Sequence, residues 1–155
     1  MKYLLAGAFV ILGSVAQAQV VVGPSSAVFS HPDDQYAITA TYHLDFYQCA
    51  SVTVDAANPQ GICIGQAAAP FQSGADVPKS AVTGDAQNRT VNLRTSSANG
   101  VLTAMPVGVG FVTKIKAVAD ATIAGVAGTS APSPESNPFF SQARTPAAPG
   151  NASIR

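Results

Sequence analysis

The acid–base chemistry open to this chain of 155 residues comes from two histidines and eight Asp/Glu side chains, and part of that set is clustered. His31, Asp33 and Asp34 lie in the stretch HPDD, and His43 and Asp45 follow in TYHLDFYQ. Residues two apart on an extended strand sit roughly 6.5–7 Å from each other on one face. His43 and Asp45 therefore have a spacing that suits a metal ligand pair or an acid–base pair. A secreted metal-dependent enzyme built on His31, Asp33, His43 and Asp45 is the reading this cluster offers. The competing one is a solvated turn followed by the polar face of a strand, because HPDD is also a good turn sequence.

The plainer reading is preferred. A hydrolase needs a nucleophile, a base and a group that orients the base. No G-x-S-x-G, H-E-x-x-H or phosphate-binding loop is present. No catalytic, cofactor-binding or metal-binding residue is therefore assigned, and no cofactor is expected.

Cys49 and Cys63 are the only cysteines. The opening stretch, MKYLLAGAFVILGSVAQA, carries one cation at Lys2, an apolar run, and a small-x-small ending at Ala16-Gln17-Ala18. That layout is a secretory signal peptide over residues 1–18, with a run too short to span a bilayer comfortably. The mature chain is then expected in a secreted or periplasmic compartment, with no membrane span after signal cleavage. Two cysteines in an oxidising compartment are most simply one disulfide, Cys49–Cys63, contributing roughly 3 kcal/mol through loop closure.

Without Lys2 the mature chain carries seven Lys/Arg against eight Asp/Glu. With no basic patch, nucleic acid is excluded as a partner. A protein or glycan partner, of unknown identity, remains.

The segments that must position these residues alternate with a period of two. Tyr42, Leu44 and Phe46 fall on one face, and His43, Asp45 and Tyr47 on the other. Val91 and Leu93 oppose Thr90, Asn92 and Arg94. In FVTKIKAVAD, Phe111, Thr113, Ile115 and Ala117 share a face, and Lys114 and Lys116 lie on the wet side of the strand. Turn clusters such as SHPDDQ, AANPQG, TGDAQN and SANG separate these segments, and no helix is expected beyond the signal. The pattern predicts an all-β antiparallel sandwich of about seven strands. Phe29, Tyr42, Leu44, Phe46, Leu93, Phe111 and Ile115 form its expected core. After about Phe140 the composition lacks apolar residues to bury, so residues 141–155 are expected to be a disordered tail.

The ordered set of segments resembles a fibronectin type III domain, an immunoglobulin-like sandwich. MPVGVGF is similar to that family's L-x-P-G-T-x-Y turn, with Met105 at the Leu position and Phe111 at the Tyr position. FVTKIKAVAD matches the family's F-strand pattern, and GTSAPSPESNPF resembles its G-x-S-x-P-S lead into strand G. Phe29 takes the place of the strand-B Trp, and Tyr42 begins a strand C. The resemblance covers roughly Gly23 to Phe140, within a domain set at residues 19–140, and departs from the family in two places. Phe111 lacks the tyrosine hydroxyl, and the stretch from Cys49 to Val82 is longer than usual. The resemblance implies an exported, non-catalytic module for protein or glycan binding, or a structural role at the cell surface. Ile62, Ile64, Pro70 and Phe71 in the long middle stretch are candidate apolar contacts. Tyr47, Phe71, Phe139 and Phe140 are a candidate aromatic platform. A surface-fibre subunit joined by strand exchange is a further reading, and would need an edge left without its strand.

Overall fold

The structure is a computed structural model that describes residues 21–141. The expected signal peptide, and the expected tail after Ser141, lie outside the described residues.

The described residues form nine strand segments. One sheet contains β1 (Val21–Val22), β9 (Phe139–Phe140), β8 (Gly110–Ala119), β3 (Thr39–Thr53) and β4 (Ile62–Gln66), in that order. In the same sheet β5 (Ala75–Pro78) pairs with the first part of β3. The second sheet contains β2 (Ser26–Phe29), β7 (Arg89–Asn92) and β6 (Val82–Thr83). All pairings are antiparallel except β1 with β9.

The alternation read from the sequence decides which side chains meet. Tyr42, Leu44 and Phe46 of β3 and Phe111 of β8 face Val82 of β6, Val91 of β7 and Leu93, and all are buried. Gly110 is needed where β8 starts. A Cβ there would come within 2.3 Å of Val52 Cγ2, so only glycine lets the two strands approach. Phe29 and Ile115 differ from expectation: both are only partly buried and sit at the margin of the core. They lie where the two sheets are not closed over one another, as described below.

Among the described residues three short α-helices correct the expectation of none: α1 (Asp33–Ala37), α2 (Ala98–Ala104) and α3 (Ala121–Ala124). In α2, Ala98, Val101 and the following Met105 are buried, and Leu102 packs on the core. That is an i, i+3, i+4, i+7 pattern, the spacing of a helix with one apolar face. It crosses SANG, where Asn99-Gly100 reads locally as a turn. Burial of the apolar stripe outweighs the weak propensity of seven residues.

The stretch GTSAPSPESNPF runs antiparallel along the outer edge of β8. Ser130, Ser133 and Ser136 donate their backbone N–H to the carbonyls of Ala117, Ile115 and Thr113. Each serine Oγ accepts the N–H of that same β8 residue, at 2.9–3.0 Å, and donates to the carbonyl of the residue after itself. Three strap residues thus face every two of β8, the count of a β-bulge repeated in tandem. Two strand residues span about 6.8 Å, so the strap rises only about 2.3 Å per residue, less than either a strand or polyproline. Pro132, Pro134 and Pro138 fall at positions that need not donate to β8. Ser141, placed in the expected tail, is instead buried and donates from Oγ to the Met105 carbonyl.

Candidate functional site

The clustered acid–base residues separate into two sets on opposite faces of β3. His31 lies at the core side, where its Nδ1 is 2.7 Å from the Tyr42 hydroxyl. Burial and the Arg89 charge hold the His31 pKa below its ordinary value. Burial pushes the Tyr42 phenol up to about 12, so it stays neutral. Asp33 pairs with the guanidinium of Arg89, which stacks over the Tyr36 ring at 3.9 Å. Tyr36, carried inward by α1, reaches the carbonyls of Lys79 and Val82. This set plugs one end of the sandwich. Asp34 bonds its neighbour Gln35, which lowers its pKa.

His43 and Asp45 lie on the outer face. His43 Nδ1 is 2.6 Å from Asp76 Oδ1, and its Nε2 is 3.0 Å from Asp45 Oδ1. Lys116 Nζ stands 2.6 Å from Asp45 Oδ2, and the hydrogen bond raises the lysine pKa. Asp45 is only 1% exposed. Gly74 closes over this pair with φ +71°, and a Cβ there would strike the Leu44 carbonyl at 2.4 Å. Lys114 binds Glu135 at 3.1 Å and covers the Tyr47 ring. The two lysines are thus on the outer face as expected, but half-buried in ion pairs rather than free in water. The carboxylates lie on opposite nitrogens of the His43 ring, so they do not converge on one point. Among the described residues no group of three or more His, Cys, Asp or Glu is arranged to hold a metal ion.

Cys49 is bonded to Cys63 and ties β3 to β4. The β4 side chains Ile62 and Ile64 are 38% and 47% exposed. Phe71 instead turns inward, edge-on to Phe111 at 5.6 Å, and Phe139 stacks on Phe111 at 6.3 Å. The aromatic platform therefore does not form, because two of its members belong to the core.

The concave feature left open lies between the sheets. A cleft of about 560 Å³ runs between β2 on one side and the strap from Ser133 to Asn137 on the other. Ala27, Phe29, Leu93, Ile115 and Phe139 give it an apolar lining. Among the described residues Glu135 is its one charged lining residue, and it is paired with Lys114. No histidine lines the cleft. A smaller cavity of about 230 Å³ lies beside His31, Gln35 and Thr39.

Among the described residues, the rim of the cleft has unpaired backbone. Ser25 accepts a bond from Leu93 N, and Ala27 stands opposite Val91. By strand parity the N–H and C=O groups of Ser26 and Val28 turn away from β7, toward the open side. Val28 is 59% exposed. Sequence reasoning missed this site, since alternation marks an inward face without saying whether a second strand covers it.

Among the described residues no helix is long and apolar enough to cross a membrane. Comparison with protein-family models, with curated proteins and with solved structures finds no match for this chain.

Proposed function

We propose that this chain is an exported, non-catalytic binding module of the fibronectin type III kind that holds an extended protein segment in the cleft between its sheets. The observation that carries the reading is the apolar cleft beside a strand edge with free backbone groups. An added strand gains main-chain hydrogen bonds from such an edge, while pockets for alternate side chains give selectivity. A protein segment suits this lining better than a glycan, which requires polar partners for its hydroxyls. The family resemblance is supported by strand order. The runs β2-β7-β6 and β9-β8-β3 follow the orders B-E-D and G-F-C of immunoglobulin-like sandwiches. Export rests on the signal-like opening of the sequence.

The test places a photo-crosslinking amino acid at Val28 in protein expressed with its own signal. A crosslink to a protein chain at Val28, absent when the probe sits at exposed Thr103, is the expected result. Hydrolase activity or a bound metal, lost in His43→Ala, overturns the non-catalytic reading in favour of the enzyme built on His31, Asp33, His43 and Asp45.

A further inference from the structure

Building on the reading that the cleft takes an extended segment, we infer that its occupant is β4 of a second copy of this chain, so that the protein assembles head to tail.

Exposed strand edges invite pairing, and proteins blunt them with short strands, charge, proline or a cover. Five edges are unpaired among the described residues, and three are blunted. β1 and β6 have only two residues each, and β5 carries Asp76 and Pro78. The outer edge of β8 is covered by the serine strap. β2 and β4 alone have none of these devices. Their sequences, SAVF and ICIGQ, have four and five residues, no charge and no proline.

The two edges are also complementary. Ile62 and Ile64 project from one face of β4 and are 38% and 47% exposed. Set parallel to β2 against its free edge, these side chains fall on the same side as Ala27 and Phe29 and extend the inner face of the second sheet. There they enter the cleft against Phe29, Ile115 and Phe139. The Cys49–Cys63 bond holds β4 to β3 before docking, which lowers the ordering cost of adding it as a strand. The mature chain is nearly neutral, so net repulsion does not oppose association. The donor and acceptor surfaces differ, which makes the contact heterologous and gives open chains or rings rather than closed pairs. A five-residue strand buries less than the about 1,600 Å² of a standard stable interface. The single contact is therefore weak, and assembly is expected at high local concentration.

Two exposed substitutions test this in the purified processed protein. Val28→Lys blocks the acceptor edge and Ile64→Lys blocks the donor strand, leaving the other end of each molecule intact. Sedimentation velocity is expected to show concentration-dependent oligomers for the unmodified chain and monomers for each variant alone. An equal mixture of the two variants is expected to give a dimer and nothing larger, since one good donor meets one good acceptor. Ser26→Lys with Ile62→Lys repeats the test should either first variant lose its circular dichroism spectrum. Assembly unchanged by the variants, or no dimer in the mixture, overturns the inference. The Val28 crosslink separates the two ideas. A crosslink to a different protein leaves the cleft reading standing and ends self-assembly, whereas no crosslink to any chain ends both.

Discussion

The two walls of the cleft meet the same requirement in opposite ways. β8 has its outer edge closed by the strap, where Ser130, Ser133 and Ser136 each supply one donor and one acceptor to the strand. β2 has four uncharged residues and, among the described residues, no strand on its outer side. On the closed side Phe139 is buried between Phe46 and Phe111, whereas Phe29 and Ile115 at the open margin stay partly exposed. A sheet edge is satisfied only when every second residue finds both a donor and an acceptor, and a serine strap does so without being a strand. Where that supply stops, the cleft begins.

The largest test of this contrast compares the two phenylalanines. Phe139→Ala is expected to destabilise the protein by about 3–5 kcal/mol in urea unfolding, the range for a buried aromatic. Phe29→Ala is expected to cost about half as much or less, since its ring is already partly in water. Equal losses would mean that the β2 side is closed in solution.

Replacing both Cys49 and Cys63 by Ala is expected to cost roughly 3 kcal/mol. The loss is expected to fall locally, as faster amide exchange in β4, while amides of Ile115 and Thr113 under the strap keep their protection. Uniform exchange across both regions would show that the hairpin is not a separate unit.

Ser133→Ala removes an acceptor from the Ile115 N–H. About 1 kcal/mol is expected to be lost, with faster exchange of that amide, because a buried donor loses its partner. Ser26→Ala on the open wall is expected to stay within about 0.5 kcal/mol of the parent. The serines of the two walls being equally costly would contradict their different roles.

The smallest effect is a pH dependence at His31, which lines the smaller cavity together with Thr129 and Ser130 at the start of the strap. Its pKa is lowered in the fold by burial and by Arg89. The unfolded chain therefore binds a proton more readily than the folded one, so stability rises with pH in that interval. This contribution is complete above the ordinary histidine value of about 6.5 and declines as pH falls through it toward the folded value. Thermal unfolding between pH 7.5 and 5 is expected to show a shallow decline that His31→Gln flattens. An unchanged slope in the variant would remove His31 from the account.

Much of the core was legible in alternation. Tyr42, Leu44, Phe46, Leu93 and Phe111 are buried as their spacing predicts. α2 was legible in principle, through Ala98, Val101, Leu102 and Met105, but the local turn signal at Asn99-Gly100 concealed it. The strap was present as a serine at every third position. That period belongs to neither strand nor helix, so its role as an edge cover could not be read. Ile62 and Ile64 were singled out as apolar contacts and do stand exposed, while Phe71, placed in the same set, faces Phe111.

The sequence by itself determined the class of the fold, the inward face of β3, β7 and β8 and the pairing of its only two cysteines. Those properties are local or nearly so: a strand alternates because successive Cβ atoms point to opposite sides, and two cysteines admit one intrachain bond. The tertiary structure alone decided which edges found partners. It put His31 and His43 on opposite sides of β3, buried Asp45 on a face that alternation assigns to water, and among the described residues set no strand on the outer side of β2. Neighbours brought together from distant parts of the chain set these outcomes, and the period of a single strand carries no record of what will lie beside it.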